Sequence, residues 1–131
     1  MSLFHRNTYP ALVLALGVSC DVALGPGREI TLPITNVEAP EEVAAGTSFN
    51  VRVTVQSGGC RQFEQLIVTQ TTERATFVAR GHDSEGPGVL CTTDIRYAER
   101  EVRLDPPFTD PYTIVARQPS GPPTTRTARI R

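Results

Sequence analysis

Lysine and tryptophan are both absent from this 131-residue chain, and aromatic residues make up only 6% of it. A carbohydrate-binding face usually stacks sugars on exposed rings, so this scarcity argues against one. All 13 basic residues are arginine, as the codon bias of a GC-rich genome produces without any functional need for guanidinium. Net charge is also lacking: 13 basic against 14 acidic side chains leave −1. No global field therefore draws the chain toward nucleic acid, and no nucleic-acid partner is expected.

Histidine is nearly missing too, with only His5 and His82. A serine or cysteine hydrolase needs a base, usually histidine, to activate its nucleophile. Asp83 and Ser84 follow His82 directly, but residues adjacent in sequence rarely make a working triad, and a solvated loop residue is the plainer reading. Paired glycosidase carboxylates are not identifiable either, because Glu64, Glu73, Asp94, Glu99 and Glu101 fall at surface positions of expected strands. No glycine-rich phosphate loop opens a helix. Asp83, Ser84 and Glu85 supply oxygens of the calcium-binding kind, without the ligand spacing of an EF-hand loop. The expectation is a protein with no catalytic residues, no metal and no cofactor.

Long apolar runs are absent apart from one, Ala11 to Val18, which follows a polar head containing His5 and Arg6. It is too short to span a bilayer, which takes about 20 apolar residues. Small residues Gly17 and Ser19 then precede Cys20. A charged head, a short apolar run and a small-residue cleavage site make a secretory signal. Leu16-Gly17-Val18-Ser19-Cys20, with its leucine four positions before the cysteine, resembles the lipobox of bacterial lipoproteins. The resemblance implies that Cys20 is acylated and becomes the first residue of the mature chain. An ordinary cleaved signal is the alternative. On the lipobox reading residues 1–19 are the signal, 20–29 hold the lipidated cysteine and a short tether with Gly25-Pro26-Gly27, and 30–131 form one domain.

Three cysteines are an odd number for an exported protein. If Cys20 carries lipid, Cys60 and Cys91 remain as one disulfide in an oxidising compartment. No Cys-x-x-Cys pair exists to suggest zinc.

The rest of the chain reads as strands. Ser48–Gln56 is the clearest, with Phe49, Val51, Val53 and Val55 on one face and Asn50, Arg52 and Thr54 on the other. Ile30, Leu32 and Ile34 alternate across Pro33, as in an edge strand. Phe63–Thr72 is β-rich, but consecutive Leu66-Ile67-Val68 leaves its register open, and a helical turn near Gln62–Gln65 is an alternative. Further strands are expected at Arg74–Arg80, Val89–Thr93, Tyr97–Leu104, Tyr112–Ala116 and Thr124–Arg131, with Gly81–Gly88 the longest loop signal.

Seven or eight short strands with regular turns suggest an all-β, antiparallel β-sandwich of the immunoglobulin or fibronectin kind. Ala45–Val53 and Pro111–Val115 resemble an early and a late strand of bacterial immunoglobulin-like domains. The tryptophan of antibody domains is missing, and Cys60 falls after its strand. A Cys60–Cys91 bond should therefore clip a loop or sheet end. A small open barrel is the structural alternative.

These readings imply an exported cell-envelope protein, held on a bacterial membrane through Cys20 at its periplasmic side or outer membrane. It would act as a non-catalytic interaction or accessory module with another envelope protein as partner. A small enzyme inhibitor or ligand-binding lipoprotein is the alternative. The Gly81–Gly88 loop, with His82, Asp83 and Glu85, is the candidate partner-binding segment.

Overall fold

The computed structural model describes residues 27–131, so the lipobox-like segment and Cys20 lie outside the described part. Nine strands follow one another: β1 Arg28–Leu32, β2 Ile34–Glu38, β3 Glu42–Val43, β4 Phe49–Ser57, β5 Arg61–Gln70, β6 Arg74–Asp83, β7 Arg96–Leu104, β8 Tyr112–Ala116 and β9 Thr124–Ile130. They form two sheets packed as a sandwich, and no helix occurs among the described residues.

Strict alternation gives β4 its place. Phe49, Val51, Val53 and Val55 are buried, while Asn50 and Arg52 are exposed. β4 is the middle strand of the three-stranded sheet β2–β4–β7, antiparallel on both sides. Opposite it, β6 buries Ala75, Phe77 and Ala79. β5 borders β6 along one side, while β1 and β8 share the other, with β1 beside residues 79–83 and β8 beside residues 74–77. β9 and then β3 complete this sheet. The β6–β8 and β3–β9 pairs are parallel, whereas an entirely antiparallel sandwich was expected.

The core draws on both layers, with Leu32, Phe77, Leu104, Tyr112 and Ile114 fully buried. Each such side chain contributes roughly 1.5–3 kcal/mol by leaving water. Phe49, Phe108 and Tyr112 form an aromatic cluster at one end, their ring centroids 4.7–6.2 Å apart. The Tyr112 hydroxyl donates to the Thr71 carbonyl at 2.9 Å.

The fold also settles three further sequence readings, correcting the first and the last. The run across Pro33 is two strands in different sheets, because proline has no N–H to continue the ladder and the chain changes sheet there. The Gln118 side chain fills the break: it accepts from the Ile34 N–H at 3.1 Å and donates to the Ile34 carbonyl at 2.8 Å. β5 is a continuous strand with no helical turn, but its register slips between Phe63 and Gln65. That bulge brings Phe63 onto the same half-buried side as Leu66 and Val68, leaving Ile67 outward. Finally, Val89–Thr93 forms no strand, and residues 84–95 make one irregular connection. Cys91 is held there by its bond to Cys60, and the Val89 N–H closes a turn on the Gly86 carbonyl at 3.1 Å.

Candidate functional site

The end of the sandwich where β4 turns into β5 gathers most of the chemistry noted in the sequence. Ser57–Cys60 makes the turn, and the Gly58 and Arg61 N–H groups each donate to the other's carbonyl at 3.0 Å. Gly58 has φ of 138°, and a Cβ there would come 2.0 Å from the Asp94 carbonyl oxygen. Only glycine lets the turn lie this close to the 92–95 segment. Cys60 is bonded to Cys91, with Cα atoms 5.0 Å apart. The disulfide joins a turn to a loop at a sheet end, as its position after β4 implied.

Asp94 braces the same region. Its carboxylate accepts from the Thr92 hydroxyl, from Arg96 Nε at 2.6 Å and from the Gly59 N–H at 3.3 Å. The Thr92 hydroxyl first, then Arg96 and the Gly59 N–H, pull the Asp94 pKa from 3.8 down to about 2.

His82 and Asp83 lie in β6, not in the loop expected from Gly81 to Gly88. Glycine at 81 is demanded by packing inside the sheet: a Cβ would meet the Gln62 carbonyl and the Leu32 side chain. Successive strand residues point to opposite faces, so His82 and Asp83 cannot converge on one ligand. His82 faces outward, 4.0 Å from Glu64, and a Cβ on Gly27 would collide with its ring. Asp83 turns inward and is 2% exposed. The Glu85 N–H donates to it at 2.9 Å, and Arg28 and Arg61 stand 3.6 and 3.7 Å away on the two flanking strands. The Glu85 hydrogen bond is the main reason its pKa is lowered, with the two arginines adding to it against burial. The Glu85 side chain is exposed beyond the strand end. Asp83 thus ties β1, β6 and β5 together, and of the three expected loop residues only Glu85 lies in the loop.

The feature the sequence reading missed is apolar. Val89, Leu90, Ile95 and Tyr97 are exposed at this end, Leu90 to 98%. Their signal was the Val89-Leu90 pair set between a Gly-Pro-Gly turn and a cysteine, which reads equally well as a short strand. Beside them a cleft of about 290 Å³ lies between Gly58, Gln56 and Arg61 on one side and Asp94 and Ile95 on the other. Ligand pockets start at about 300 Å³, so this is at the small end. Among the described residues no group of histidine, cysteine, aspartate or glutamate is arranged to hold a metal.

No family model, curated protein or solved structure matches this chain.

The depressed carboxylates fix an acid response. A group with a lowered folded pKa stabilises the fold above its unfolded pKa and loses that contribution as pH falls through the folded value. For Asp94 the window runs from about pH 4 down to about 2. Urea midpoints should therefore fall across it, and Asp94→Asn should be less stable at pH 6 with a shallower fall. An unchanged slope in the variant would remove Asp94 from this role.

Proposed function

We propose that this chain is a lipid-anchored, non-catalytic module of the bacterial cell envelope, working through another envelope protein on an immunoglobulin-like sandwich. One observation carries the reading: β1 begins at Arg28, directly beside the disulfide-braced end, and is fastened there through Arg28 to Asp83. A link from Cys20 would thus enter the body beside the disulfide, an arrangement suited to holding a scaffold at a surface. Support for the immunoglobulin likeness comes from the two packed sheets and from an opening segment divided between them. The parallel β6–β8 pair departs from that pattern.

Cell fractionation tests the anchor. The wild-type protein should be found with membranes and carry acyl groups on Cys20, and Cys20→Ser should be released or remain unprocessed. A soluble wild-type protein whose mature terminus lies elsewhere would establish the ordinary cleaved signal instead. Crosslinking on intact cells, followed by affinity recovery, should yield a defined envelope partner. If recovery from cells gives no protein beyond background, the interaction role fails.

A further inference from the structure

We infer that the Val89–Leu90 tip, with Ile95 and Tyr97 beside it, rests in the interfacial layer of the same membrane that holds Cys20. The inference rests on the lipid-anchor reading above and adds a second contact to it, made by the folded domain itself. Single exposed apolar residues are ordinary on a protein surface. Here, however, the large exposed apolar residues among the described ones are Ile67, Val89, Leu90, Ile95 and Tyr97. All but Ile67 fall within a nine-residue stretch around one disulfide, which marks that end as a contact surface.

Geometry selects a lipid surface as the occupant. Arg28 is paired across the sheet with Asp83, and Asp83 is followed by Ser84, whose N–H and hydroxyl both donate to the Cys60 carbonyl. Cys60 is bonded to Cys91, the residue after Leu90. The point where the chain arrives from Cys20 and the apolar tip are therefore at one end of the sandwich. Seven peptide steps separate Cys20 from Gly27, a span of at most about 25 Å when fully extended. An acylated Cys20 would keep this end close to the bilayer surface at all times. Tethering makes the second contact intramolecular, so even a small apolar tip meets lipid at high effective concentration.

Chemistry agrees with this placement. Leu90 and Val89 are aliphatic and suited to the edge of the acyl region, and a tyrosine such as Tyr97 combines a ring with a hydroxyl suited to headgroup depth. Arg96 pairs with Asp94 at 2.6 Å, Arg28 and Arg61 share the single charge of Asp83, and the exposed Glu85 carboxylate offsets the remaining positive charge, so this end is close to neutral. The contact should therefore depend little on salt or on anionic lipid. The disulfide fixes the base of the tip, so little conformational freedom is lost when it inserts.

The absence of tryptophan supplies the test. Leu90→Trp puts a sole indole at the tip, where the exposed native side chain can be replaced without disturbing the core. Ile95→Trp is a second reporter, and Glu73→Trp, in the turn between β5 and β6 at the opposite end, is the control. The acylated proteins are reconstituted in phosphatidylcholine vesicles with and without phospholipid brominated on its acyl chains. Emission from positions 90 and 95 should shift to the blue and lose intensity with brominated lipid, equally at low and high salt, while the control does neither. Vesicle-bound, acylated protein whose tip reporters match the control would overturn the inference alone. A blue shift that needs no vesicles and grows with protein concentration would assign the tip to a second copy of the chain and also overturn it. A mass spectrum without acyl groups on Cys20 would instead overturn the anchor, and the inference with it.

Discussion

Replacing Cys60 and Cys91 together by serine should lower the free energy of unfolding by about 3–4 kcal/mol and the melting temperature by roughly 15 °C or more. The bond closes a separation of 31 residues, and opening it returns that loop's entropy to the unfolded chain. A small domain has only about 5–15 kcal/mol in total, so much of its margin would go. The native state loses as well, because residues 84–95 form no strand and would keep only a few hydrogen bonds, among them Ser84 to Cys60 and Gly59 to Asp94. Urea unfolding of the oxidised protein against the double variant measures the effect. Reduction of the native protein should match the variant. A difference below about 1 kcal/mol would mean that the unfolded chain is already restrained in this region.

Tyr112 is the second sensitive position. Its ring is fully buried between Phe49 and Phe108, and its hydroxyl is spoken for by the Thr71 carbonyl. Tyr112→Ala should cost about 4 kcal/mol, since it removes an aromatic side chain from a packed core and leaves a cavity. Tyr112→Phe keeps the ring and loses only the hydrogen bond, about 1 kcal/mol. The contrast between the two separates packing from hydrogen bonding, and equal losses would show that the hydroxyl dominates. Burial raises the Tyr112 pKa above 10.0, so its contribution is complete below the unfolded value and is lost as pH rises through the folded one. Stability of the native protein should therefore drop above about pH 10 more steeply than that of Tyr112→Phe.

Sequence patterning disclosed the layers better than their connections. The alternation of Phe49, Val51, Val53 and Val55 specified β4 and the face it buries, because a period of two has one structural meaning. Cysteine counting gave the Cys60–Cys91 pair and its place at a sheet end. Pro33 signalled an interruption, but only three-dimensional pairing reveals that it moves the chain between sheets, since both halves alternate in the same way. The bulge at Phe63–Gln65 was hidden for a related reason, as an inserted residue shifts the period without changing composition. His82, Asp83 and Glu85 looked like one loop cluster because glycine flanks them. Strand geometry instead divides His82 from Asp83, and the partners of Asp83 come from distant Arg28 and Arg61.

The order in which strands find partners has a consequence for how the body is assembled. β5 and β6 form a local hairpin, but β3 pairs with β9 through Glu42 and Arg129, and Gln118 reaches Ile34 across 84 residues. β1 and β2 find their partners in β6 and β4, but β3 waits on the latest part of the chain, and that pairing requires a long loop to close first. A chain cut short of Thr124 would have β8 and β3 facing an empty lane. Completion belongs to the carboxyl-terminal residues, and until they are delivered β3 has no strand to pair with.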